Sequence, residues 1–131
     1  MRTYQVGSGS QQINFSVDVT TLGLAASRAI LVDPSSNTTG NPVAHSQDAT
    51  GDITPVVIGI AGELQNHRLS VFTKVDLPYD DFESRKREFE KITAEYTLNN
   101  GPEGLKKFSN PLKRADNEYY TAFLLMLIDL T

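Results

Sequence analysis

The sequence predicts an all-β fold: an antiparallel β-sandwich or jelly-roll-like barrel of six to seven strands with one short α-helix near residues 81–88. Three observations carry that expectation. Apolar and polar residues alternate with period two in several separate segments, the pattern of a strand with one face in a core and the other in water. Clusters of Gly, Pro, Asn and Asp punctuate those segments, as chain reversals require. Only seven charged residues fall within 1–66, so the polar positions there are Ser, Thr, Asn and Gln, which suit half-exposed strands. The competing architecture is α+β, with a helix at the C-terminus.

Taken in order, Ile13, Phe15, Val17 and Val19 alternate with Asn14, Ser16, Asp18 and Thr20 and define a half-buried strand. Arg28 to Asp33 reads as a buried strand, because Ala29, Ile30, Leu31 and Val32 are apolar on both sides, and Pro34 ends it. Val56, Ile58 and Ile60 repeat the alternation, as do Leu69, Val71, Val75 and Leu77, and Gln65-Asn66-His67 between them suggests a hairpin turn. Tyr79 to Lys91 has nine charged residues among thirteen. Asp80 or Asp81 fits as an N-cap there, with a strand following at about 90–98. Asn99 to Gly104 is a strong reversal. A helical turn is expected at Leu105 to Phe108, broken by Asn110-Pro111. Glu118 to Leu130 is read as a strand covered on both faces, since Tyr119, Phe123, Leu125 and Leu127 share one side and Tyr120, Ala122, Leu124, Met126, Ile128 and Leu130 the other.

The 131 residues, 39% of them hydrophobic, suffice for one sandwich domain spanning 1–131 and are too few for two ordinary ones. A net charge of −4 argues against general binding to nucleic acid or to anionic membranes, which requires clustered positive charge. No apolar stretch of signal-peptide length opens the given chain, and the longest apolar run, Ala122 to Ile128, is far short of a bilayer span. The compartment stays unassigned. Without cysteine there is no disulfide, thiolate metal site or Cys nucleophile.

The polar stretch 34–52 is longer than loops usually run without secondary structure, which marks it as a recognition surface. His45, Asp48 and Asp52 offer a ring nitrogen and carboxylates within it, but an EF-hand-type loop would need Glu at position 59, which is Gly. No metal and no cofactor are therefore expected. Arg85-Lys86-Arg87 is diluted by neighbouring acids and reads as a solvated helix face.

No catalytic motif stands out, so the expected function is a non-catalytic interaction or structural-assembly module, acting through a sheet face and the loop 34–52 on a protein partner or a second copy. Tyr119, Phe123, Leu125 and Leu127 are the candidate interface. Covering four large side chains would contribute on the order of 6–10 kcal/mol before entropy losses. One alternative is a carbohydrate-binding domain, calcium-assisted or not, in which Tyr79, Tyr96, Tyr119 or Tyr120 stacks on sugar rings beside His45, Asp48 and Asp52. A small hydrolase using His45 or His67 with nearby carboxylates is the other.

Overall fold

The computed structural model describes residues 2–36 and 40–131. Among them the chain forms β1 (Thr3–Tyr4), β2 (Gln12–Thr20), β3 (Leu24–Val32), β4 (Asn41–His45) and β5 (Ile53–Ile60), then α1 (Ala61–Leu64) and β6 (Arg68–Asp76). There follow α2 (Phe82–Lys91), β7 (Thr93–Gly101), β8 (Gly104–Ser109), β9 (Leu112–Ala115) and β10 (Thr121–Leu130). One sheet runs β1-β10-β6-β3-β4, with β9 sharing the β10 edge that β1 also uses, and the other runs β5-β2-β7-β8. The described strands pair antiparallel except β1 with β10, and one isolated parallel bridge joins Ala25 to Thr50. The result is a sandwich-like all-β fold with no closed barrel.

The alternation read from the sequence builds the core. Ile13, Phe15, Val17 and Val19 of β2 and Ala94, Tyr96 and Leu98 of β7 face Leu69, Val71 and Val75 of β6 and Ala122, Leu124, Met126 and Ile128 of β10 in one buried cluster. Tyr4 and Val6 join it from the N-terminal segment. The Tyr4 hydroxyl donates to Gly104 O and accepts from Gly101 N at 2.9 Å, which clamps the β7–β8 turn against β1. Gly101 is required there, because a Cβ would stand 2.2 Å from Gln5 O.

Several expectations need correction. There are ten strands among the described residues, not six or seven, because β1, β4, β8 and β9 are short or lack strict alternation. Leu105 to Phe108, expected as a helical turn, lies in β8, where pairing with β7 overrides local preference. The turn at Gln65–His67 does not close a hairpin: β5 and β6 belong to different sheets, and α1 with Asn66 at φ 66° carries the chain across. The stretch 34–52 is not one long loop, since β4 within it pairs with β3; residues 37–39 lie outside the described residues. The buried strand begins at Leu24 and alternates, with Ala25, Ser27 and Ala29 inward.

The helix and the C-terminal strand are present. Asp81 caps α2, accepting from Ser84 N at 3.0 Å, and β10 is a strand rather than a helix. Its two faces are unequal. The even residues from Ala122 to Leu130 are buried, while Phe123 and Leu125 are half-buried and Leu127 is exposed, so the expectation of two covered faces holds for only one of them.

Four exposed carboxylates are held by local hydrogen bonds that favour the ionised form. Ser84 lowers the Asp81 pKa, the Thr121 amide lowers that of Asp116, and Ser35 and Thr50 do the same for Asp33 and Asp48. A depressed folded-state pKa gives stability that is complete above the unfolded value, near 3.9, and is lost as pH falls through it toward the folded value. Thermal unfolding should therefore be flat from neutral pH to about pH 5 and decline below about pH 4. The double variant Asp81→Asn/Asp116→Asn should decline less steeply; slopes identical to wild type would refute this origin.

Candidate interaction surface on the outer face of the six-stranded sheet

Residues directly opposite each other in a sheet share a face, so the strand register lays out the outer surface of the sheet containing β10. Leu112, Leu125, Phe72, Arg28 and His45 form one row across β9, β10, β6, β3 and β4. The next row holds Arg114, Phe123, Lys74 and Ala26, and on the other side lie Leu127, Ser70, Ile30 and Pro42. The centre of this face is apolar. Phe72 and Phe123 are diagonal neighbours whose rings stack at 5.7 Å with planes 29° apart. Leu112 at 52%, Phe72 at 38% and Leu127 at 36% remain open to solvent on three adjacent strands. Asp129 and Arg68, opposed in the register, close one end with a 2.7 Å ion pair.

Phe123, Leu125 and Leu127 from the expected interface lie on this face. Tyr119 does not. It sits before β10 at φ 59°, with its ring against Phe82 at 5.4 Å and Phe89 at 5.3 Å, under α2. Phe82 and Phe89 thus cover Tyr119 and leave the strand face open. Phe72, Leu112, Arg28 and Arg114 were missed by sequence reasoning. Period two in β6 is the signal that places Phe72 on the solvent side, opposite to Leu69, Val71 and Val75, but only the register shows that it meets Phe123.

The ligand-binding candidates separate. His45 lies on the outer face opposite Arg28, and its Nδ1 donates to Ser46 O at 3.0 Å. Asp48 accepts from the amide and hydroxyl of Thr50, and Asp52 accepts from Val19 N at 2.7 Å, so both shape local backbone. Among the described residues no three His, Asp or Glu side chains are placed to hold a metal ion.

Tyr96 is fully buried, which corrects its assignment to a ligand surface: its place on β7 points it into the core. Its hydroxyl has no hydrogen-bond partner among the described residues. The nearby Thr73 hydroxyl is engaged with Ser27 at 2.7 Å. Burial pushes the Tyr96 pKa up to about 12, opposed first by the Thr73 hydroxyl, which lies near the phenol without meeting hydrogen-bond geometry, and then by Arg2. The Tyr120 ring is occupied by the Arg85 guanidinium at 3.9 Å. Of the tyrosines expected to stack on sugars, Tyr79 is half-buried against the core.

Helix α2 is polar on most of its surface, and Arg85 is its buried side chain. The guanidinium donates from Nε to Glu118 O at 2.8 Å and from Nη1 to Tyr79 O at 2.9 Å and Asp80 O at 3.0 Å. At the other end Lys113 Nζ donates to Phe89 O, Glu90 O and Ile92 O at 3.0, 3.3 and 3.2 Å. Two cations therefore fasten this helix by its flanking carbonyls.

A cavity of about 490 Å³ lies between the end of α2 and the outer side of the four-stranded sheet, with Asp18, Glu90, Glu95 and Lys113 on its walls. Asp18 and Glu95 are direct strand partners, a like-charge pair that destabilises a sheet. Lys107, 3.3 Å from Glu95, relieves it. No described helix is long and apolar enough to cross a membrane.

Fold and surface together define the class: a two-sheet, sandwich-like all-β protein with one apolar, solvent-open sheet face. No protein-family model, no curated protein and no solved structure matches the chain.

Proposed function

We propose that this protein is a non-catalytic interaction module that binds a protein through the outer face of the β9-β10-β6-β3-β4 surface. The observation that carries the reading is the contiguous apolar patch on adjacent strands formed by the exposed Phe72, Leu127 and Leu112 with the half-buried Phe123 and Leu125. Covering that area removes apolar surface from water at about 25 cal/mol per Å², and the support of six hydrogen-bonded strands lowers the ordering cost of binding. His45 on β4, opposite Arg28, brings one residue of the stretch 34–52 onto the same surface.

A photo-crosslinking amino acid at position 123, compared with one at Thr97 on the polar sheet, tests the reading in cells that naturally make the protein. A discrete adduct from position 123 that is absent from position 97 is expected. Equal labelling at both positions, or none at 123, would remove this face from the function.

A further inference from the structure

The charge layout of the apolar face points to its occupant: we infer an acidic segment of another protein, apolar along one side, in preference to a second copy of this chain or a nucleic acid. This rests on the reading of the face as an interaction surface and adds the chemistry of what it binds. The chain carries −4 overall, yet this face is basic. Arg68 is closed by Asp129 at 2.7 Å, and Lys74 leans toward Asp76 at 3.9 Å. Arg28 and Arg114 are exposed and, among the described residues, have no carboxylate partner. They stand on opposite flanks of the apolar centre, Arg28 on β3 and Arg114 on β9. Three strand spacings of about 4.8 Å and one offset row put their Cα atoms about 16 Å apart. A binder with carboxylates at both flanks and hydrocarbon between them meets these two arginines and the apolar centre together.

The same layout disfavours the other occupants. Two copies face to face would bring matching excesses of positive charge together, and like charges opposed across an interface suppress association. A nucleic acid would satisfy the arginines, but base stacking needs open aromatic faces. Phe72 and Phe123 spend theirs largely on each other, with ring centres 5.7 Å apart. Their neighbours Leu125, Leu127 and Leu112 are aliphatic, and suit apolar side chains in place of bases.

Three helical probe peptides of about 18 residues, roughly 27 Å long, test this against the full chain by fluorescence anisotropy. All share one Leu/Phe face, and their polar positions are Glu, Gln or Lys. The Glu peptide should bind at least about tenfold more tightly than the Gln peptide at low salt, with the margin shrinking at about 0.5 M. Arg28→Glu/Arg114→Glu should invert the order of the Glu and Lys peptides at an unchanged unfolding midpoint, and Arg28→Gln/Arg114→Gln should level it. Equal binding of all three to wild type leaves the interaction surface standing and overturns the acidic partner. Absence of binding by every peptide overturns both. Oligo(dT) binding, or a concentration-dependent dimer by sedimentation, that is abolished by the double Glu variant gives the face to nucleic acid or to a second copy and overturns the inference.

Discussion

Arg85→Ala is expected to destabilise the protein by about 3 kcal/mol and to loosen α2 together with the segment before β10. The guanidinium is 3% exposed and holds three main-chain carbonyls, from Tyr79, Asp80 and Glu118. Hydrogen bonds to a charged donor are worth about 1.5–3 kcal/mol each, and truncating the donor also strands its acceptors. Water reaching the vacated carbonyls recovers part of the sum, which sets the net at about one such bond plus the lost packing on Tyr120. The remaining attachments of α2, the Lys113 contacts at its other end and the packing of Phe82 and Phe89 on Tyr119, keep the helix docked but do not replace the contacts at its N-terminal end. Arg85→Lys should restore less than half, since a point ammonium cannot span the directions served by Nε and Nη1. Denaturant unfolding gives the magnitude, and hydrogen exchange should rise first in α2 and residues 117–121. A loss below about 1 kcal/mol would show that the carbonyl contacts contribute little.

Removing one hydroxyl should have opposite effects at two buried tyrosines. Tyr4→Phe deletes a group that donates to Gly104 O and accepts from Gly101 N. At about 1 kcal/mol per bond, with both main-chain groups left short of a partner, the expected loss is about 2 kcal/mol. Tyr96→Phe deletes a hydroxyl that has no described partner, so the desolvation penalty disappears and stability should rise by about 1 kcal/mol. The alkaline limb supplies a second readout. A Tyr96 pKa raised to about 12 gives stability that is whole below the unfolded value near 10 and lost as pH climbs from there toward 12. Tyr96→Phe should unfold less readily across that window. Equal losses in the two variants would mean that both hydroxyls are satisfied.

Legibility of the fold followed how directly each element depends on its own residues. The alternation in β2 and β6 fixes their inward faces without reference to neighbours, and Asp81 caps α2 through local geometry. β8 was misread because Leu105-Lys106-Lys107-Phe108 has no period of its own and becomes a strand by pairing with β7. β4 was hidden for the same reason, extended by β3 despite Pro42 and Ala44. Half of the surface was visible: Phe123, Leu125 and Leu127 lie on one side of one strand. The other half, Phe72, Arg28 and Leu112, joins them only through register, which no single segment encodes. Tyr96 shares a strand face with Ile92, Ala94 and Leu98, the apolar set of a period-two pattern, so its burial is legible in the sequence, and assigning it to a ligand surface by residue type overrides that pattern.

The position of β10 has a kinetic consequence. It lies between β6 and the short β1 and β9, so the last of the described strands takes an interior place in its sheet, with Thr3 and Tyr4 aligned to Asp129 and Leu130. Pairings so distant along the chain close slowly, because loop entropy is lost before contacts compensate it. During synthesis β6 waits with one hydrogen-bonding edge unpaired until residues 121–130 emerge, an interval in which association with other chains competes with folding.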